Sequence, residues 1–266
     1  MNATHQSSRE AVTHRLSGAE RLLYARDGAL MREDVLPHNL TTAMRHALDL
    51  LIRLDHPSGG IKLRHEPPSQ GTTADNPGRV WMVADLLLAG QPWLELARHP
   101  SIVVPLMDFL GPNVELYNAF ARIKPPNTRA HLAWHQDFAH DLHNSPQLVT
   151  VLVYLDDTGP GAAATEIVVG SHARGSLPHD AKYDLASQDV QGPIRCMNAR
   201  SGSILFLDTL TIHRAGRNLS DTDRRVLLFV ARAAGCREIK RSPHALTGLP
   251  LSRDGVCLPP QTPIPD

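Results

Sequence analysis

From Val114 onward the sequence is a series of short β-prone runs separated by turns, and this pattern limits the fold more than any other feature. Several short strands at this spacing are typical of a β-sandwich or a β-barrel. The predicted strands cover residues 114–123, 131–137, 147–156, 166–169, 194–198, 203–207, 210–215 and 224–232.

Helical patterns dominate the chain before Val114. Between Gly28 and Pro57, apolar residues recur at three- and four-residue spacing and fall on one helix face: Leu40, Met44, Ala47, Leu48, Leu51 and Ile52. Two more helices are predicted near 80–98 and 100–111, and residues 57–79, rich in Gly, Pro and polar side chains, are predicted to be a long loop. Helices followed by strands predict an α+β chain.

A chain of 266 residues suits one large domain with terminal extensions. We expect a polar N-terminal segment over 1–20, a single domain over 21–235 with its β-core at about 114–235, and an extended Pro-rich tail over 236–266.

Composition excludes several classes of function. Lys plus Arg and Asp plus Glu both number 27, so the chain lacks the basic excess that nucleic acid requires, and no apolar run reaches the length of a membrane span. The three cysteines, Cys196, Cys236 and Cys257, are widely spaced, which fits a reducing compartment. We therefore expect a cytoplasmic protein that acts on a small molecule. No feature of the sequence indicates an oligomeric state.

The motif that carries chemistry is the H-x-D formed by His135, Gln136 and Asp137. On a strand, residues two apart point to the same face, so this histidine and aspartate can bind one ion together. His213 lies in a later β-prone run. Two imidazoles and one carboxylate leave up to three metal positions open, which is the arrangement of non-haem Fe(II) oxygenases.

Arg224, eleven residues after His213, is a candidate partner for a carboxylate if the two runs form neighbouring strands. Alternation alone does not choose between Arg224 and Arg225, because both faces of the run 224–232 are apolar. The competing interpretation of Arg224 is a surface ion pair with Asp221 or Asp223, and that of His135 with Asp137 is a surface hydrogen bond.

In this order, the motifs resemble the phytanoyl-CoA dioxygenase superfamily of Fe(II)/2-oxoglutarate oxygenases. The likeness covers roughly 105–232 and rests on four stretches: Lys124-Pro125-Pro126 before the H-x-D, GAAATEIVVGSH at 161–172, SGSILF at 201–206, and HRAGRNLS from His213 followed by Arg224. The family's offset from histidine to arginine selects Arg224 over Arg225. Ala215 stands where many relatives have a serine that contacts 2-oxoglutarate.

The resemblance implies a double-stranded β-helix, or jelly roll, with N-terminal helices packed on one side. It implies Fe(II) bound by His135, Asp137 and His213, with Arg224 holding the far carboxylate of 2-oxoglutarate. It also implies O2 as a reactant, with succinate and CO2 as products. Because Asp137 is present, the halide position of halogenase relatives is not open, which favours hydroxylation or a related oxidation.

Two functions of different classes are compatible with these motifs. The first is a dioxygenase that oxidises a small-molecule metabolite, for example in natural-product metabolism. The second is a non-catalytic or non-oxidative cupin-like protein that binds a metal and a ligand. Arg224 beside a complete triad favours the first, since a binding module has no need of a 2-oxoglutarate clamp. Lys62, Arg64 and His65 in the predicted loop 57–79 favour a polar or anionic substrate.

Overall fold

The computed structural model of the chain describes residues 14–54, 59–66, 78–127, 132–239, 244 and 246–260. Its α-helices are α1 (Gly18–Asp27), α2 (His38–Arg53), α3 (Trp93–Ala97), α4 (Pro100–Leu110) and the short α5 (Asp137–His140). Single 3-10 turns cover Leu86–Ala89, Ser171–Arg174 and Ser187–Asp189. The strands are β1 (Ala29–Arg32), β2 (Lys62–His65), β3 (Val80–Ala84), β4 (Val114–Lys124), β5 (Leu132–His135), β6 (Leu148–Tyr154), β7 (Thr165–Val168), β8 (Ile194–Met197), β9 (Ile204–Asp208), β10 (His213–Ala215), β11 (Arg224–Ala233), β12 (Leu249–Arg253) and β13 (Val256–Cys257).

The strands form two antiparallel sheets. Among the described residues the larger sheet has nine strands, in the order β1-β9-β6-β11-β4-β12-β13, with β3 also on β4 and β2 on β3. The smaller sheet has the order β5-β10-β7-β8. The two sheets face each other as a double-stranded β-helix, so the predicted jelly roll is confirmed.

Alternation along the strands assigns the two faces of the larger sheet. In β9, Ile204 and Phe206 join the main core beneath the helices, whereas Leu205 and Leu207 point towards the smaller sheet. Strand β11 follows the same rule: Leu227, Phe229 and Ala231 belong to the helical side, and Val226 and Val230 to the inner side. Because period-2 alternation divides each strand between two apolar surroundings, both faces of these strands are hydrophobic.

Helices α2 and α4 cover the outer face of the larger sheet. Helix α2 buries Met44, Leu48 and Leu51 there, as its three- and four-residue spacing predicts, and α4 contributes a nearly all-apolar surface that includes Ile102 and Leu106. The predicted packing of N-terminal helices on one side of the jelly roll is confirmed. The inner face is therefore left for the site.

Helix α1 connects the N-terminal region to the edge of the jelly roll. Ser17 and Glu20 form a capping box at its start, and Gly28 ends it in the left-handed conformation with a φ of 74°. The Gly28 carbonyl accepts a hydrogen bond of 2.8 Å from Thr211 Oγ1. A Cβ atom at Gly28 would lie 2.3 Å from that hydroxyl oxygen, so the position requires glycine.

Several predicted elements differ from the structure. The predicted helix near 80–98 is wrong at its start, where β3 pairs with β4, and the predicted loop 57–79 contains β2. The helical stretch predicted from Gly28 begins only at His38, because Ala29–Arg32 forms β1 against β9. The helix predicted at 100–111 is confirmed as α4. The N-terminal segment predicted over 1–20 is described only from His14, and there Leu16 is buried.

The Pro-rich segment that we predicted as an extended tail over 236–266 is, in part, a piece of the larger sheet. Strand β12 pairs with the start of β4, and β13 pairs with β12. Leu249 and Leu251 lie in the main core. Pro250 sits at a register irregularity, where the missing N–H costs no ladder hydrogen bond. The last residues of the segment, 261–266, lie outside the described residues.

The place of β12 in the core leads to a prediction about stability. Leu251 is fully buried, so Leu251→Ala is expected to lower the free energy of unfolding by about 2–5 kcal/mol through lost burial and a cavity. Urea unfolding measures this change. The control is Val256→Ala on the neighbouring β13, where the side chain is 60% exposed and the expected change is within about 0.5 kcal/mol. Equal stability of both variants would mean that β12 does not belong to the cooperative core.

Candidate metal centre and cosubstrate pocket

Three side chains from distant parts of the chain converge at one end of the smaller sheet. His135 ends β5 and His213 begins β10, and the two are direct partners in the antiparallel pair. Asp137 Oδ1 lies 3.4 Å from His135 Nε2 and 3.6 Å from His213 Nε2. The candidate ligand atoms of the three residues all lie within 4.8 Å of one another. The predicted triad is thus assembled in the fold.

Asp137 reaches this position by a different route from the one predicted. It is not on the strand with His135 but is the first residue of α5, after Gln136 turns the chain. Its Oδ2 atom accepts a hydrogen bond of 2.7 Å from Thr150 Oγ1 on β6. That bond fixes the carboxylate and leaves Oδ1 directed at the two imidazoles.

The two imidazoles are held in the form that a metal needs. Nδ1 of His135 lies 2.9 Å from the carbonyl oxygen of Ala133, and Nδ1 of His213 lies 2.9 Å from that of Thr211. A ring nitrogen beside a carbonyl oxygen carries the proton, so each Nε2 keeps its lone pair for a metal. Such outer hydrogen bonds orient ligating histidines in metalloproteins.

The charges at the triad also suit a cation. Burial would raise the pKa of Asp137, but the imidazoles of His213 and His135, with the Thr150 hydroxyl, hold it well below its usual range. Burial, followed by repulsion from His135, lowers the pKa of His213 to about 4. At neutral pH the aspartate is therefore ionised and His213 is neutral, which is the protonation that metal binding requires.

The donor set fits Fe(II). Two imidazole nitrogens and one carboxylate oxygen on one side of an ion leave positions for other ligands, and imidazole with carboxylate suits iron, whereas a thiolate set would suggest zinc. Within the described residues no cysteine belongs to a group of this kind.

Arg224 and Arg225 point to opposite faces of β11. Arg225 makes ion pairs with Asp49, Asp156 and Asp223, towards the helical side. Arg224 is only 4% exposed. Its Nη2 donates to the carbonyl of Ala163 over 2.6 Å, while its buried Nε has no hydrogen-bond partner. The surface ion pair considered for Arg224 thus belongs to Arg225, and Arg224 is a buried cation with an unused donor.

Lys124 is a second cation that the sequence did not lead us to expect at the site. It faces Arg224 across the β4–β11 pair, and its Nζ donates to the carbonyls of Ala215, at 2.8 Å, and Gly216. Burial and the charges of Arg224 and Arg122 lower its pKa to about 7. Only the register of β4 against β11 places Lys124 beside Arg224, and the sequence alone does not give that register.

Gln136, the middle residue of the H-x-D, binds the segment after Gly170-Ser171-His172 and holds it beside the candidate metal ligands. Its fully buried amide donates to the carbonyls of Gly175, at 2.9 Å, and Leu210, at 2.6 Å, and accepts from the backbone of Leu177 at 2.8 Å. The backbone N–H of Gln136 donates to Nε2 of His179 over 3.0 Å. His179 is therefore a structural residue beside the site.

Comparisons with known proteins agree with this geometry. Residues 24–226 match the family model described as phytanoyl-CoA dioxygenase (PhyH). A probable alpha-ketoglutarate-dependent hypophosphite dioxygenase of Stutzerimonas stutzeri is 30% identical over 152 residues, and the match covers 52% of each chain. An ectoine dioxygenase of Bordetella parapertussis is 26% identical over 232 residues, covering 78% of this chain and 72% of that protein. The chain thus matches about half the length of the hypophosphite dioxygenase and about seven-tenths of the length of the ectoine dioxygenase.

A solved structure supports the fold independently. EctD from S. alaskensis, with 2-oxoglutarate and 5-hydroxyectoine, superposes with a TM-score of 0.75 at 17% identity, covering 92% of this chain and 89% of that one. At 17% identity this likeness shows the fold alone. The family assignment rests on the family model, which matches most of the chain. The chain belongs to the phytanoyl-CoA dioxygenase (PhyH) family.

Proposed function

We propose that this protein is an Fe(II)- and 2-oxoglutarate-dependent dioxygenase that oxidises a small-molecule metabolite and releases succinate and CO2. The observation that carries the proposal is the convergence of His135, Asp137 and His213 within 4.8 Å, with both imidazoles oriented through their Nδ1 atoms. A protein that only binds a ligand has no requirement for this half-open donor set.

The residues divide the work of the reaction. The triad holds Fe(II) on one side, and when bound the iron, with 2-oxoglutarate and O2, supplies the oxidising chemistry. Thr150 and the carbonyls of Ala133 and Thr211 keep the ligands in place. Apolar side chains of the inner face, among them Leu152 and Val226, exclude water from the reacting atoms.

Arg224 is the residue that we assign to the far carboxylate of 2-oxoglutarate. Its burial makes an unmatched charge costly, and its unused Nε donor calls for an acceptor. A guanidinium binds a carboxylate through two parallel hydrogen bonds, and the bond to Ala163 fixes the plane of the group. Lys124 on the facing strand, when protonated, would favour an anion at the same place.

The substrate is proposed to be small and polar. The curated relatives are named for hypophosphite, ectoine and L-proline, which share small size and polarity. Within the described residues no helix is long and apolar enough to cross a membrane. The three cysteines are all free thiols, which supports our proposal that the protein works in the reducing cytoplasm.

The metal ligands are tested by His135→Ala. Without one imidazole the site is expected to lose Fe(II) binding, and with it the weak visible band that Fe(II) and 2-oxoglutarate give together under anaerobic conditions. Succinate formation should fall to background. The matched control is His46→Ala, since His46 is exposed on α2. Retention of the full band in the His135 variant would refute the metal assignment.

The clamp on 2-oxoglutarate is tested by Arg224→Gln. A hydrogen bond to a charged group contributes about 1.5–3 kcal/mol, so affinity for 2-oxoglutarate should fall about ten- to a hundredfold while Fe(II) affinity is kept. Titration of the anaerobic visible band with 2-oxoglutarate measures the first affinity, and titration with Fe(II) at saturating 2-oxoglutarate measures the second. Arg225→Gln is the control on the opposite face of β11 and should leave the affinity unchanged. If the two variants exchange these results, Arg224 is not the clamp.

A further inference from the structure

A row of paired residues crosses four strands of the larger sheet next to the proposed clamp. Arg64 on β2 pairs with Met82 on β3, Met82 pairs with Arg122 on β4, and Arg122 pairs with Val226 on β11. Residues paired across antiparallel strands point to the same face. The row therefore places two arginines on one face of the sheet.

The same face carries Thr150, the residue that fixes the candidate ligand Asp137. Thr150 on β6 bonds Asp137 and pairs with Val230 on β11. Val226 lies four residues before Val230 on the same strand, so it shares the face, and so does its partner Arg122. Arg122 is thus an inner-face residue that no part of the proposed reaction uses.

The guanidinium of Arg122 packs on aromatic rings and, among the described residues, forms no ion pair. Its central carbon lies 4.6 Å from the ring centre of Trp81 and 5.4 Å from that of Phe120. Among the described residues, no carboxylate or carbonyl accepts a hydrogen bond from it. Burial lowers its pKa to about 10, which still leaves it charged at neutral pH. An arginine on an aromatic ring keeps its N–H edges available for an anion.

Trp81 is held in place by an irregularity in the sheet. The β2–β3 register skips it, since His65 pairs with Val80 and Arg64 with Met82. Its indole Nε1 donates to the carbonyl of His65 over 2.8 Å. Such a bulge turns a side chain towards a face that it would otherwise avoid, and bulges of this kind recur beside active sites.

Positive charge therefore extends from the rim of the face into its interior. Arg64 is exposed, Arg122 is half-buried and Arg224 is fully buried. Asp137 is close enough to affect Arg122, but its charge is committed to the metal. Arg224 is matched by 2-oxoglutarate in the proposed function, so the charge of Arg122 remains without a counterpart. A site with excess positive charge raises the local concentration of anions.

We propose that Arg122, seated on Trp81, binds an oxyanion group of the substrate, a carboxylate or a phosphorus oxyanion, and thereby selects anionic substrates. Arg64 at the rim attracts the anion towards this position. The inference rests on the proposed oxygenase function and names the substrate class of the same site.

The test is anion binding, measured by calorimetry under anaerobic conditions. Protein loaded with Fe(II) and 2-oxoglutarate is titrated with acetate and with hypophosphite, at an ionic strength kept constant with chloride. Saturable binding of at least one probe is expected in the wild type. Arg122→Gln should weaken it about tenfold or more, because a charge-assisted hydrogen bond is lost. Trp81→Leu, which keeps the charge but removes the platform, should weaken it about two- to fivefold.

Two controls separate this inference from the proposed function. Arg53→Gln removes an exposed arginine on α2 and should leave anion binding unchanged. The visible band with 2-oxoglutarate should be equal in the wild type and in Arg122→Gln, which also shows that the variant is folded.

The outcomes are distinct. No saturable binding of either probe, or equal binding in Arg122→Gln, overturns the inference. Weaker 2-oxoglutarate binding in that variant, with anion binding intact, also overturns it, since Arg122 would then serve the cosubstrate. Absence of the visible band in the wild type would refute the oxygenase proposal instead; the same anion titration on metal-free protein would still decide the role of Arg122.

Discussion

The pairing of β10 with β5 is the interaction on which the site depends. It sets His213 directly opposite His135, so two imidazoles share one small volume with the carboxylate of Asp137. Three ligand groups directed at a single point are poorly hydrated there, and a cation compensates them. The smaller sheet thus positions the two histidines of the candidate metal site, while α5 and Thr150 of the larger sheet position Asp137.

The larger sheet serves the site through the alternation of its side chains. Its outer face is a hydrophobic core beneath the helices, and its inner face admits a few polar residues among apolar ones. Thr150 is such a residue in the otherwise apolar strand LVTVLVY, and its hydroxyl reaches Asp137. Arg224 and Arg122 occupy the same face of neighbouring strands. Strands therefore hold the two histidines, the hydroxyl that fixes Asp137 and the two arginines.

Sequence predicted the parts of this molecule that depend on local pattern and ordered motifs. The strands from β4 to β11, the amphipathic α2 and the convergence of His135, Asp137 and His213 all agree with the structure. What failed depends on distant partners. Residues 80–84 are apolar enough for helix or strand, and the neighbouring strands β2 and β4 decide for a strand. Pro-rich composition in the tail hid β12, since the edge of β4 tolerates proline.

The end of α1 has a consequence for the metal that its position in the chain conceals. Gly28 leaves no room for a side chain beside Thr211. The Thr211 hydroxyl donates a hydrogen bond to the Gly28 carbonyl, and the Thr211 carbonyl orients the imidazole of His213. Even one methyl group at residue 28 would displace Thr211, the residue that orients His213, about 185 residues later in the chain. The end of the first helix thus helps to fix the orientation of His213, the last of the three candidate ligands in the chain.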